Sequence, residues 1–115
     1  MAVRRGEVYF VELGPTVGRE QSGRRPVVIV SCDGLNSKPL VYLVIPGTNA
    51  AKAPPSPATV FVPQGEAGLP KDTAFLTFQA KAIDPSRIDS RPTGVLNPAS
   101  MDKISNALAW SFGIH

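Results

Sequence analysis

The sequence predicts a mainly β fold, a small and strongly bent sheet closed by one C-terminal α-helix, on three observations. Twelve prolines and ten glycines in 115 residues cut the chain into segments too short for a helical bundle. Several of those segments are apolar or alternating runs of strand character. Only the final stretch combines helical spacing with a start signal. At this length one domain with its own core is expected, spanning residues 1–115.

The elements follow in order. "EVYFVEL", Glu7 to Leu13, alternates, with Val8, Phe10 and Glu12 on one face and Tyr9, Val11 and Leu13 on the other. "PVVIVSC", from Pro26, is apolar almost throughout and reads as a central strand. "LVYLVIP", Leu40 to Pro46, is a third strand after a turn in "DGLNSK". "TVFVP" from Thr59 and "DTAFLTFQAKAI", Asp72 to Ile83, supply two more, divided by the turn-rich "QGEAGLPK". The closing helix has Asn97 as N-cap, Pro98 at its first position and Asp102 near the positive end of its dipole. Met101, Ile104, Leu108 and Phe112 form a stripe expected to pack into the core. Two connections are long, Leu13 to Gly23 and Gly47 to Ala58, and long connections in small domains are functional or disordered.

Composition narrows the chemistry. A net charge of +3 permits a polyanionic partner without demanding one. The lone Cys32 excludes an internal disulfide and suits a reducing cytoplasm. Gly6 and Glu7 interrupt any signal-peptide core, and no apolar run reaches membrane-spanning length, so no membrane association is expected. The one histidine, His115, is the final residue, and neither CxxC nor ExxH spacing occurs, so no metal ion or other cofactor is expected. A Ser-His-Asp relay has no other base to use, and no Gly-rich nucleotide motif is present. Catalysis would have to use arginine, hydroxyls, amides and at most one carboxylate. Cleavage of RNA tolerates that set, because the 2′-hydroxyl nucleophile already lies beside its phosphate. An arginine fork can hold two phosphate oxygens, and a threonine hydroxyl can add a donor to them.

"RRGEVYFVELGPTVGREQSGRRPVVIV" resembles the opening of the MazF/PemK toxins of bacterial toxin–antitoxin pairs, most closely at Arg5 to Val8 and Gly18 to Pro26. "VIPGTNA", "GLPKDTAFLTFQAKAIDPSRI" and the final helix extend the likeness along essentially the whole chain. The resemblance implies an SH3-like barrel, a homodimer, and metal-independent endoribonuclease activity on single-stranded RNA. It also implies a MazE-like antitoxin that blocks the RNA groove with an extended tail.

The family's two catalytic positions fall on Arg25 and Thr48. Arg25 would be held by Pro26 and the strand behind it, and Thr48 would sit in a turn after Gly47. Glu20 matches the family's glutamate and either accepts the 2′-hydroxyl proton or orients Arg25. Arg19 and Arg24 are phosphate-contact candidates or members of a solvated face. Gln21, Asn36 and Arg87 complete the candidate RNA contacts, with Gln79 placed to read a base edge. Where the family usually has Glu-Gln-Ile-Arg, this chain has Phe78-Gln79-Ala80-Lys81. Phe78 is then either core or a platform for a stacked base. Lys81 keeps the charge and loses the fork. The rival readings are a non-catalytic, gyrase-poisoning toxin of the same fold, acting through the C-terminal helix, and a degenerate relative that binds only an antitoxin.

Overall fold

Side chains of a strand point alternately to its two faces, and here both faces are covered. The computed structural model describes residues 2–21 and 23–114. Its elements are β1 (Glu7–Glu12), β2 (Arg24–Ile29), α1 (Asp33–Asn36), β3 (Tyr42–Asn49), β4 (Thr59–Val62), β5 (Thr73–Leu76), β6 (Lys81–Ile83), β7 (Gly94–Val95) and α2 (Pro98–Phe112). The antiparallel sheet runs β4-β5-β3-β2-β1-β7, with β6 also on β3, and curls into a half-barrel. Val8, Val28, Ile45, Phe75 and Ile104 belong to one core, between the sheet and α2. Tyr9, Val11, Val27, Ile29 and Val44 belong to a second core on the opposite face. Neighbouring residues of β1, β2 and β3 thus feed different cores, which is the period-two rule at work.

β3 is the strand on which the sheet turns. One edge pairs with β2, while the other pairs with β6 at Tyr42 to Val44 and with β5 at Gly47 to Asn49. The sequence expectation ended this strand at Pro46, but it continues three residues further. Pro46 and Gly47 mark the change of partner rather than a chain reversal. Gly47 is required there by space, since a Cβ would lie 2.7 Å from Thr73 Cγ2 and 3.2 Å from Phe75 Cε1.

Other expectations are also corrected. β2 starts at Arg24, so both arginines lie inside the ladder, with Arg25 opposite Val11. The single strand expected over Asp72 to Ile83 is two strands broken by a 3-10 turn at Thr77–Gln79. The turn expected in "DGLNSK" contains the short α1.

The helix begins as predicted, with the Asn97 side chain accepting the Ser100 N–H at 2.8 Å. Its buried residues are Ser100, Ile104 and Ala107, flanked by half-buried Met101 and Leu108. Phe112 is exposed instead of buried. Ser111 takes the inward position in the last turn, its hydroxyl 2.8 Å from Thr77 Oγ1, and the next residue is rotated away. Arg5 braces the assembly, its guanidinium donating to the Val30 carbonyl and, at 2.8 Å, to Ser105 Oγ.

Candidate functional site

The register that sets Val27 opposite Pro46 brings Arg25 opposite Thr48 when it is continued two residues along both strands. Arg25 shares its face with Val27 and Ile29, and Thr48 with Val44. Both side chains therefore extend the row of the second core to the point where it opens to solvent. There Arg25 Nη1 donates to Thr48 Oγ1 at 3.0 Å. Thr48 is a strand residue, not a turn residue, and its hydroxyl is held by the neighbouring strand's guanidinium.

Three segments wall a groove of about 620 Å³ around this pair. Arg19 and Gln21 come from the connection after β1, Lys52 and Pro54 from the connection after β3, and Phe78 and Gln79 from the turn after β5. Phe78 is 59% exposed, so the core alternative for it falls. Gln79 Nε2 donates to the Arg19 carbonyl at 3.0 Å, fastening the first segment to the third. The Oε1 atom of Gln21 is buried and finds no hydrogen-bond partner among the described residues. A buried acceptor of this kind favours a ligand that brings a donor.

The remaining candidates lie elsewhere. Glu20 is exposed and outside the groove lining. Its carboxylate accepts the Val17 N–H at 2.8 Å, and its carbonyl accepts the Thr16 hydroxyl at 3.0 Å. Arg24 points to the opposite face, meets Asp89 at 3.4 Å, and lines a second recess of about 270 Å³. Lys81 and Arg87 share a small recess beside Asp84, where Arg87 Nη1 donates to the Glu12 carbonyl at 2.6 Å. The Ser86 hydroxyl and N–H both bond Asp84, holding its carboxyl below the usual range. Asn36 is a correction: it is buried, 2.9 Å from the Ser31 carbonyl and 2.5 Å from Ser31 Oγ, and cannot contact RNA from there. His115 lies outside the described residues.

Sequence reading missed Lys52, although it is the one cation in an Ala- and Pro-rich stretch. It also missed Phe10, which lines the second recess together with Arg24, Arg25 and Thr48. Among the described residues no three His, Cys, Asp or Glu side chains gather as a metal site. No helix among them is long and apolar enough to cross a membrane. The groove offers cations, amides and hydroxyls around a half-buried Thr–Arg contact, an arrangement suited to stabilising negative charge on oxygen.

Residues 4–112 match the family model described as PemK-like, MazF-like toxin of type II toxin-antitoxin system. The endoribonuclease MazF of Staphylococcus saprophyticus is 33% identical over 113 residues, 98% of this chain and 93% of that protein. The crystal structure of MazF from Deinococcus radiodurans superposes with a TM-score of 0.83 at 20% identity, over 99% of both chains. An endoribonuclease in complex with its cognate antitoxin, from Mycobacterial species, gives 0.81 at 24% identity, over 99% of this chain and 98% of that one. At those identities the two structures speak to the fold, which is the small barrel expected.

Proposed function

The chain belongs to the PemK-like, MazF-like toxins of type II toxin–antitoxin systems, and from that premise we propose that it is an endoribonuclease cutting single-stranded RNA at the Arg25–Thr48 pair. The observation that carries this reading is the 3.0 Å bond between those side chains in the groove. The scissile phosphate takes the place of that mutual contact, with the Arg25 fork on two oxygens and the Thr48 hydroxyl on one. The 2′-oxygen attacks phosphorus, the P–O5′ bond breaks, and a 2′,3′-cyclic phosphate and a 5′-hydroxyl result. Gln21 Oε1 accepts a donor from the bound RNA, and Phe78 stacks an unpaired base. Among the described residues the groove lining is cationic, amide, hydroxyl and apolar, with no carboxylate. In this reading the 2′-hydroxyl proton passes to water, and water returns one to the leaving 5′-oxygen.

The antitoxin partner is an extended, acidic and apolar segment laid in the same groove, which combines Arg19, Arg25 and Lys52 with Pro54, Leu76 and Phe78. The chain acts as a homodimer; large apolar side chains left exposed at Trp110, Phe112 and Ile114 support a protein partner for the end of α2. The gyrase-poisoning alternative is not favoured, since it has no use for the Arg25–Thr48 pair.

The test is incubation with a mixed RNA pool in excess EDTA, followed by sequencing of the new ends. Cleavage at a short recurrent motif, with 5′-hydroxyl ends, is expected. An uncut pool, or cutting restored only by magnesium, defeats the proposal.

A further inference from the structure

Arg25, Thr48 and Lys52 line not only the main groove but also the 270 Å³ recess on the other side of the pair. The pair is therefore a ridge between two depressions. Any RNA whose phosphate sits on that ridge must continue in both directions, and the main groove accommodates one. We infer that the second recess holds the single nucleotide on the other side of the cut bond and reads its base. The inference rests on the endoribonuclease reading above and adds to it a specificity subsite.

The recess has the parts such a subsite needs. Its volume falls just under the range of about 300–1,000 Å³ typical of drug-sized ligand sites, so it suits one base and not a longer run. Phe10, opposite Pro26 in the β1–β2 ladder and half-buried, offers a ring face for stacking. Lys71 and Lys52 are exposed at its rim, where a backbone phosphate would pass. Arg24 joins them, because its exposed 3.4 Å contact with Asp89 is of the weak, solvent-screened kind. Asn49 supplies the reading group. Its Oδ1 is taken by the Ala51 N–H at 3.0 Å, so its amide presents N–H donors to the recess. Donors of this kind recognise an acceptor on a base edge, a carbonyl or ring nitrogen. Gly47 lets Thr73 and Phe75 pack directly against this wall, in the space a side chain would need.

Two substitutions separate reading from folding. Asn49→Ser keeps an oxygen to cap Ala51 and removes the amide donors. Phe10→Leu keeps apolar bulk and removes the ring. Both are compared with wild type on the RNA pool and on one oligonucleotide carrying the wild-type motif, with thermal melts to check folding. Asn49→Ser is expected to relax the preference at one position adjoining the cut bond, leaving the other positions of the motif unchanged. Phe10→Leu is expected to lower kcat/KM on the oligonucleotide by at least about fivefold, the lower bound for losing one base–aromatic stack. A wild-type protein that leaves RNA intact defeats the endoribonuclease reading and this inference with it. Wild-type cleavage, accompanied by folded variants with unchanged motif and kcat/KM, overturns the subsite alone.

Discussion

At the scale of single residues, the geometry separates Arg25 and Thr48 from the charged residues around them in sequence. If Arg25 were one cation of a solvated loop, lysine would replace it without loss. A fork on two phosphate oxygens has no ammonium equivalent. Arg25→Lys and Thr48→Ala are each expected to reduce kcat by about a hundred- to a thousandfold, the usual effect of removing one transition-state donor. Both should remain folded, because the side chains stand where the second core opens to solvent. Glu20→Gln is the contrasting case. Its carboxylate caps the Val17 N–H outside the groove, so the variant should stay within about fivefold of wild type, the scale of one exposed hydrogen bond. A loss as large as that of Thr48→Ala in single-turnover assays would make Glu20 the base after all. The family motif singled out the first pair, and the fold brings its two side chains into contact. It could not place Glu20, Arg24 or Asn36. Which way a side chain leaves the backbone depends on strand phase and local bonding, and Asn36 is drawn inside by Ser31.

At the scale of elements, the informative departures cluster where the sheet changes partner. Pro46-Gly47 reads locally as a breaker, yet β3 passes through both and delivers Thr48 to the site. The reason is non-local: Thr73 and Phe75 of β5 press against the strand and leave room only for glycine. Gly47→Ala is therefore expected to lower stability by about 1–3 kcal/mol through overpacking. It should also depress kcat more than Gly94→Ala does at equal residual stability, because only Gly47 adjoins Thr48. Urea titration and single-turnover cleavage of both variants check this. The break in "DTAFLTFQAKAI" was illegible for a similar reason. Its composition suits an uninterrupted strand, but Thr77 turns inward to the Ala58 carbonyl and Ser111, and the chain has to step around that contact. The helix was legible at its start, where the cap is local. It was misread at its end, where packing against Thr77 decides which residue faces in.

At the scale of the whole molecule, the architecture was legible because Pro and Gly frequency, strand runs and one capped helix all agree. Assembly is less so, since an exposed apolar side chain does not name its partner. Light scattering at micromolar concentration is expected to give twice the mass of one chain; a monomer would remove the dimer from the functional reading. β1, β2 and β3 each insert consecutive residues into the two cores, so neither core can loosen without dragging the other. Among the described residues no module stands apart whose local melting would disarm the protein gently. An inhibitor, natural or designed, gains nothing by prying at the scaffold. On the proposed reading it acts as a plug, competing for the Arg25–Thr48 pair at which both depressions meet.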